Sequence, residues 1–376
     1  MSKDILKKAY LFLRGMLLGL VVKPSRGTLP SKDNIKILVI RIDRIGDMVL
    51  STPIFKLLRK KFPKADISVL TRNAVADIIN NNPHINRVFS YTGFFNTISA
   101  HRNKYDLVID LFNEYLLETA LISRFINAPF SLGFDVEKRG RLFTNPIVPG
   151  KENRHFIEST LQLLEPLGIS VSERTDPEIF AKPDYITVAQ SCLSRNGINK
   201  DHVLIAIHPG GYYGSQRWPD TYFVNLIELI TDSLQNVKFV ILGSTQEMAL
   251  LDTIYKGLNA KTRAHIAINA EDSLNSTVAL LSLSKLFIGN NSGLLHIAAA
   301  LKVPTVSFMG PTIPWKWSPW GPRETNVVFK KDLSCSPCNK GVCREHECLN
   351  TISPTEVFDT IKQLLSNVIR QPVEGK

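Results

Sequence analysis

The sequence predicts an α/β protein built from two Rossmann-like domains, and three observations carry that prediction. Short apolar runs rich in Val and Ile recur along the chain, as in IKILVIR (35–41) and KFVILG (238–243). Each is followed by a stretch with helical spacing of its apolar residues, the pattern of parallel sheets covered on both faces. The length, 376 residues of which 44% are hydrophobic, favours two domains over one.

Residues 1–30 stand apart from this alternation. MSKDILKKAYLFLRGMLLGLVVKPSR carries Lys3, Lys7, Lys8, Arg14, Lys23 and Arg26 against Asp4 alone, with Leu, Phe, Met and Val between them. Arg14 interrupts the apolar run and no small-residue cleavage site follows, which argues against a secretory signal. The uncharged run Gly15 to Val22 is too short to span a bilayer. A basic amphipathic helix lying in a membrane interface is expected, the alternative being a helix packed on its own protein.

The first domain, 31–195, has candidate strands at 35–41, 66–71, 87–91 and 105–111. Residues 172–200 are rich in charge and hold two Pro; a helix is expected over 184–195 and a linker over 196–201. The second domain, 196–352, has candidate strands at 202–210, 238–243, 264–269, 285–290 and 304–310, and a cleft is expected between the two domains. The terminal segment 353–376 opens a helix with Ser353, Pro354 and Glu356: a cap, a first-turn Pro and an acid at the third position.

A net charge of +11 points to an acidic partner, an anionic membrane or a phosphorylated substrate. No Lys/Arg-rich run with interleaved aromatics occurs, so nucleic acid ranks last. No strand leads into G-x-G-x-x-G, which disfavours a dinucleotide-dependent oxidoreductase. With no export signal, the five cysteines suggest a reducing compartment and free thiols.

Ligands of open parallel sheets bind beyond the carboxyl ends of the strands. RIDRIGDMVLSTP (41–53) leaves the first strand with more charge than a turn needs. Gly46 permits a tight turn or close approach, and Asp47 follows at a nearly helical position where its carboxylate can meet a substrate hydroxyl. Thr52 and Pro53 look like the cap and first turn of the next helix. The plainer alternative makes Asp47 a cap and Asp43 a salt-bridge partner of Arg41 or Arg44. In the second half, IHPGGYYGSQRWPD (207–220) leaves a strand through Gly210 and Gly211 and offers Ser215, Gln216 and Arg217. FIGNNSGLLHIAAALKVPTVSFMGPT (287–312) leaves another through Asn291, Ser292 and Gly293, where a helix opens. Backbone N–H groups at a helix start beside Ser-Gly form an anion site, and with Arg217 they could hold a diphosphate.

These segments, with CSPCNKGVCREHECLNTISPTEV (335–357), resemble the family-9 glycosyltransferases, the ADP-heptose:lipopolysaccharide heptosyltransferases and their relatives. The resemblance runs from about Ile35 to the final helix. It implies the GT-B fold, acceptor in the N-terminal domain and nucleotide-sugar in the C-terminal one, inversion at the anomeric carbon, and no catalytic metal or other cofactor. It implies Asp47 as the catalytic base and a lipopolysaccharide core or related glycolipid as the acceptor; Arg41, Arg44 and Gly46 of the same loop are added as acceptor contacts, the arginines either binding an acidic group on it or pairing with Asp43. About the donor, ADP-heptose by default, it implies Gly210, Gly211, Ser215, Gln216, Arg217, Asn291, Ser292 and Gly293. Ser244 and Glu247, from LGSTQE (242–247), and His296, a turn after Ser292, are added as donor contacts. The enzyme would sit at the cytoplasmic face of the inner membrane, where a lipid-linked acceptor resides. Two positions depart from the family pattern: Gln216 where Lys is usual, and Asn291 where Asp is usual. They leave the donor's identity open, and with it a non-catalytic sugar-binding protein on the same fold.

Cys335, Cys338, Cys343 and Cys348 follow C-x2-C-x4-C-x4-C with His346 nearby. Clustering suggests Zn²⁺, but the second pair lacks structural-zinc spacing, so structural thiols are preferred and no metal ligand is assigned. Trp315, Trp317 and Trp320 either line a pocket or pack a loop down.

Overall fold

The computed structural model describes residues 3–22, 26–150, 153–170, 172, 175–270 and 273–370. Lys23 and the tail 371–376 of the sequence predictions lie outside them. The chain forms two compact units, Met1–Pro177 and Glu178–Lys376.

The first unit holds a six-stranded parallel sheet in the order β3-β2-β1-β4-β5-β6. Its strands are β1 (Lys36–Ile40), β2 (Asp66–Thr71), β3 (Arg87–Ser90), β4 (Leu107–Asp110), β5 (Phe130–Phe134) and β6 (Asn145–Ile147). The second unit repeats this winding as β12-β11-β10-β7-β8-β9. Its strands are β7 (Val203–His208), β8 (Val237–Gly243), β9 (Ile266–Ala270), β10 (Leu286–Asn290), β11 (Thr305–Phe308) and β12 (Asn326–Phe329). Each sheet reverses its winding between two central strands, β1 and β4 in one and β7 and β10 in the other, the places where such sheets open a crevice for ligand.

Central strands are apolar without alternation because helices cover both faces: Ile37, Leu38, Val39 and Ile40 of β1 are all fully buried. Each such side chain contributes roughly 1.5–3 kcal/mol relative to exposure. In the second unit Trp218 stacks on Phe308 at 4.2 Å within the core, and its indole N–H donates to Ile352 O at 3.0 Å. The terminal helix Pro354–Arg370 begins as its residues predict: Ser353 N donates to Glu356 Oε1, and Glu356 N to Ser353 Oγ, both at 3.2 Å.

The units divide at 177/178 rather than at the expected 195/196. The helix Pro183–Arg195 packs on the helix Leu274–Leu283, burying Ala189 and Leu193, and so belongs with the second sheet. The helix α1 (Lys3–Val21) packs on the short turn Arg139–Leu142 of the first unit. Leu18 fits against Ala120, Leu142 and Phe143, while Phe12 (64% exposed), Leu13 (64%), Leu17 (62%) and Leu20 (83%) face out. Among the described residues no helix is long and apolar enough to cross a membrane.

Candidate functional site

Two loop clusters, one at each winding reversal, gather most of the residues singled out from the sequence. In the first unit the chain leaves β1 and forms a short helix α2 (Ile45–Val49), then α3 (Thr52–Lys61). The irregular turn expected over 44–51 is therefore helical in its middle. Gly46 lies inside α2 and its carbonyl accepts from Leu50 N, so it serves as a helical residue rather than a left-handed turn. Ser51, not Thr52, occupies the cap position of α3, and its hydroxyl donates to Asp47 O at 2.6 Å.

Asp47 sits in the first turn of α2, where a negative charge complements the helix dipole. Its Oδ1 lies 3.1 Å from Arg41 Nη2, and Asp43 Oδ1 lies 2.9 Å from Arg41 Nε. Arg41 Nη1 donates to Leu111 O at 2.5 Å, and the guanidinium stands over the Phe156 ring at 4.9 Å. With its side chain 1% exposed, Arg41 is an interior clamp that binds both carboxylates, not a surface residue open to a ligand. Burial pushes Asp43 up to about 6, with Asp47 and Asp110 adding to the rise and Arg41 opposing it. Arg44, the residue before α2, is exposed.

Beneath this loop lies a second buried pair that sequence reasoning missed. Asp110, the last residue of β4, and Arg139 are both fully buried, with Oδ2 and Nη2 2.5 Å apart. Asp110 Oδ1 accepts from Phe112 N at 3.0 Å, and Arg139 also donates to Thr119 Oγ1 at 3.0 Å and to Phe112 O. The only signal in the sequence was an Asp closing the apolar run LVID.

In the second unit the loop after β7 and the loop after β10 are joined by Asn290. Its side chain is fully buried, donating to Pro209 O at 2.7 Å and Gly210 O at 3.1 Å and accepting from Trp218 N at 2.9 Å. Asn291, Ser292 and Gly293 follow and open the helix Gly293–Ala300, so its first N–H groups face the same end of the sheet. Ser292 is the cap residue but makes no side-chain cap bond, because its Oγ meets His208 Nδ1 at 3.0 Å. His208 Nε2 lies 3.7 Å from Glu247 Oε1. Ser244 donates to Glu247 Oε2 from its backbone N–H (2.9 Å) and its hydroxyl (3.0 Å). Burial alone would raise the Glu247 carboxyl, but bonds from His208 and Ser244 outweigh it and bring the group down to about 2.

A Cβ at Gly210 would stand 1.9 Å from Glu247 Oε1 and 2.7 Å from His208 Nε2, so a side chain there would force the Glu247 carboxylate to move. Arg217 bends back on its own loop, donating to Gly211 O from Nε (3.2 Å) and Nη2 (2.9 Å). It also borders an open depression of about 460 Å³ with Gly214, Asp220, Thr221, His346 and Asn350. Burial raises the Asp220 carboxyl there, against the pull of Arg217. Gln216 Nε2 reaches Thr312 Oγ1 at 3.3 Å.

Two expected contact residues lie elsewhere. Ser215 is buried with its hydroxyl donated to Lys340 O at 2.7 Å, and its carbonyl lies 2.7 Å from His346 Nε2, so it pins the Cys-rich segment instead. His296 is buried within the helix Gly293–Ala300 rather than on its surface. The four clustered cysteines are free thiols, with Cys348 buried and Cys335 and Cys343 exposed. Burial and the other three sulfurs raise the Cys348 thiol. Among the described residues no group of three or more His, Cys, Asp or Glu is arranged to hold a metal ion. Trp315 is half-exposed.

The sequence profile of "Glycosyltransferase family 9 (heptosyltransferase)" matches residues 98–349, about two thirds of the chain. This chain belongs to glycosyltransferase family 9. Relatives agree over nearly the full length. The lipopolysaccharide heptosyltransferase 3 of Escherichia coli is 26% identical over 338 residues, covering 85% of this chain and 96% of that one. The solved structure of the E. coli ADP-heptose lps heptosyltransferase II superposes with a TM-score of 0.75 at 23% identity, over 89% of this chain and 99% of that one. A family-9 glycosyl transferase from Veillonella parvula superposes at 0.78 and 22% identity, over 90% of this chain and all of that one. The paired parallel six-stranded sheets are thus the GT-B architecture, and the family-9 chain is a glycosyltransferase.

Proposed function

We propose that this family-9 enzyme moves heptose from ADP-heptose onto a lipopolysaccharide core or related glycolipid, with inversion and without a catalytic metal. The observation that carries the chemistry is Asp47, held by Arg41 through Oδ1 in the first turn of α2. The acceptor binds at this first unit, and Asp47 Oδ2 takes the proton from its hydroxyl. The oxygen attacks the anomeric carbon as the bond to the diphosphate breaks, and ADP leaves with that electron pair from the opposite face. The nucleotide-sugar binds at the second unit. The leaving diphosphate needs positive charge and N–H donors. Arg217 and the helix start at Asn291–Gly293 supply them, Arg217 exchanging Gly211 O for phosphate oxygens. Gly211, Gln216 and Asn291 complete the donor contacts, and Arg44 and Gly46 the acceptor contacts.

The donor is tested by thermal stabilisation against ADP-, GDP-, UDP- and dTDP-sugars and NAD, all in EDTA. Ligand at a hundred times its Kd stabilises by about 2.7 kcal/mol, a readable shift. A shift with ADP-heptose, followed by transfer in EDTA, is the expected result. A shift with another nucleotide-sugar alone would move the substrate, which Gln216 and Asn291 make the main competing reading. No shift with any would favour a non-catalytic protein.

The enzyme works at the cytoplasmic face of the inner membrane, docked through α1. The outward face of α1 is apolar where a helix on a soluble surface is polar. Inside, the buried Arg14 donates to Glu137 O at 2.7 Å and to Tyr115 O, which fastens the helix down. Exposed Lys138 lies against Gly15 of α1, suited to anionic lipid. The protein is expected to co-sediment with phosphatidylglycerol vesicles and not with phosphatidylcholine ones. The pair Leu13→Glu and Leu17→Glu should cut binding by about tenfold or more. Equal binding by that variant would remove α1 from the role.

A further inference from the structure

One buried titratable residue in the second unit has no part in the chemistry above. His208 closes β7, is 4% exposed, and bridges two elements that the sheet order brings together. On one side Nδ1 meets Ser292 Oγ at 3.0 Å; on the other Nε2 faces Glu247 Oε1 at 3.7 Å. Glu247 is itself fixed by two donations from Ser244. Ser244, Glu247, His208 and Ser292 thus form a chain of polar groups from the end of β8 to the start of the helix Gly293–Ala300.

Two proton arrangements of the chain matter and differ at Nδ1, because the Glu247 carboxylate facing Nε2 favours the neutral tautomer that carries its proton there over the one that carries it on Nδ1. With His208 neutral and its proton on Nε2, toward Glu247, Nδ1 accepts the Ser292 hydroxyl proton. Ser292 then offers outward only lone pairs, which repel an anion. With His208 protonated, Nδ1–H donates to Ser292 Oγ, and the Ser292 proton is released to point away from the imidazole. We propose that His208 takes up a proton when a nucleoside diphosphate binds, and that the imidazolium, held between Glu247 and Ser292, turns the Ser292 hydroxyl onto the diphosphate. This rests on the donor reading given above for the second unit. His208 is a positioning residue: it reaches the ligand through Ser292. No covalent bond changes, and the proton comes from solvent.

The surrounding charges suit this switch. Glu247, fixed by two donations from Ser244 and facing the imidazole, is the carboxylate placed to balance an imidazolium. The other charged or titratable groups on the elements that meet here are His296, on the helix Gly293–Ala300, Lys238 at the far end of β8, and Tyr212, Tyr213, Arg217 and Asp220, after β7. Arg217 is turned onto Gly211 O, and Asp220 begins the helix Asp220–Ser233. Gly210 is the place where the chain gives way for the contact: any side chain there would part Glu247 from His208.

The test is calorimetry of ADP binding at pH 7.5 in buffers of different ionisation enthalpy, on the wild type, His208→Gln and Ser292→Ala. Wild type should take up more proton per ADP than His208→Gln, the signature of an imidazole charging on binding. His208→Gln should bind ADP about tenfold more weakly, as expected for losing one charge-assisted contact, and Ser292→Ala similarly. A purely structural His208 would weaken binding without changing the proton count, which would overturn the proposal. Should His208→Gln not fold, Ser292→Ala decides: it keeps His208 and Glu247 but removes the hydroxyl that profits from the proton, so its uptake must fall below wild type. Failure of the wild type to bind ADP would overturn the donor reading and this inference together; binding with equal uptake in all three would overturn this inference alone.

Discussion

Asp47→Asn is expected to abolish most turnover while leaving donor binding intact. The amide is isosteric with the carboxylate and can still accept from Arg41 Nη2 through its oxygen, so α2 and the clamp should survive. What disappears is the capacity to take a proton from the acceptor hydroxyl as it attacks. A positioned general base contributes about 10²–10⁴-fold, and kcat should fall within that range. Arg41 keeps Asp43 and Leu111 O, so the melting temperature should barely move. Donor affinity, read by calorimetry, should equal wild type, because Arg217, Asn290 and Ser292 lie in the other compact unit. A kcat within fivefold of wild type would take the base role from Asp47. Asp43, already shifted to about 6 on the same arginine, would be the next candidate.

What the sequence disclosed and what it hid divide along a physical line. Apolar strands covered by helices on both faces announce themselves, and the central strands of each sheet fall where the apolar runs are. The strands at 130–134, 145–147 and 326–329 escaped. FSLGF carries Gly133, whose missing side chain makes room for the Phe143 ring, and a Cβ there would come within 2.2 Å of it. NPI is three residues long with a Pro, and NVVF is an edge strand only partly buried. Such strands are specified by neighbours rather than by their own pattern. The loops at the winding reversals were legible because they spend Gly, Asn, Ser and charge at strand ends. Roles inside them were less so. Arg41 looks like a ligand contact in sequence, yet its guanidinium is consumed by Asp43, Asp47 and Leu111 O. Ser215 looks like a phosphate donor, yet Lys340, 125 positions away, takes its hydroxyl. His208 was passed over because its meaning depends on Glu247 and Ser292, which the sequence keeps 39 and 84 positions away (208 to 247, 208 to 292). Partnerships across such distances are set by the order of strands in the sheet, which no local pattern records.

Arg139→Met is expected to be the most destabilising single change in the first unit. The pair it breaks is fully buried, and removing one partner leaves the Asp110 carboxylate in an apolar interior with a single N–H donor, that of Phe112. Breaking a buried pair in this way costs about 3–5 kcal/mol, much of it the stranded charge rather than the bond itself. Phe112 O and Thr119 Oγ1 lose their donor as well. Urea unfolding followed by a probe in each unit should show the first unit's transition moving to lower denaturant while the second stays. With two compact units, one global transition would be the wrong quantity to fit. The double variant Arg139→Met with Asp110→Leu removes the stranded charge and should recover part of the loss, since buried ion pairs are often replaceable by apolar residues of similar volume. The functional consequence should be equally local. Leu111 O, next to Asp110, holds Arg41, and Arg41 holds Asp47, so the damage passes to the catalytic carboxylate through two contacts. Turnover in the single variant should therefore fall even at temperatures where it remains folded, with ADP binding unchanged. Full activity in a folded Arg139→Met protein would show that the clamp on Asp47 stands without the pair beneath it.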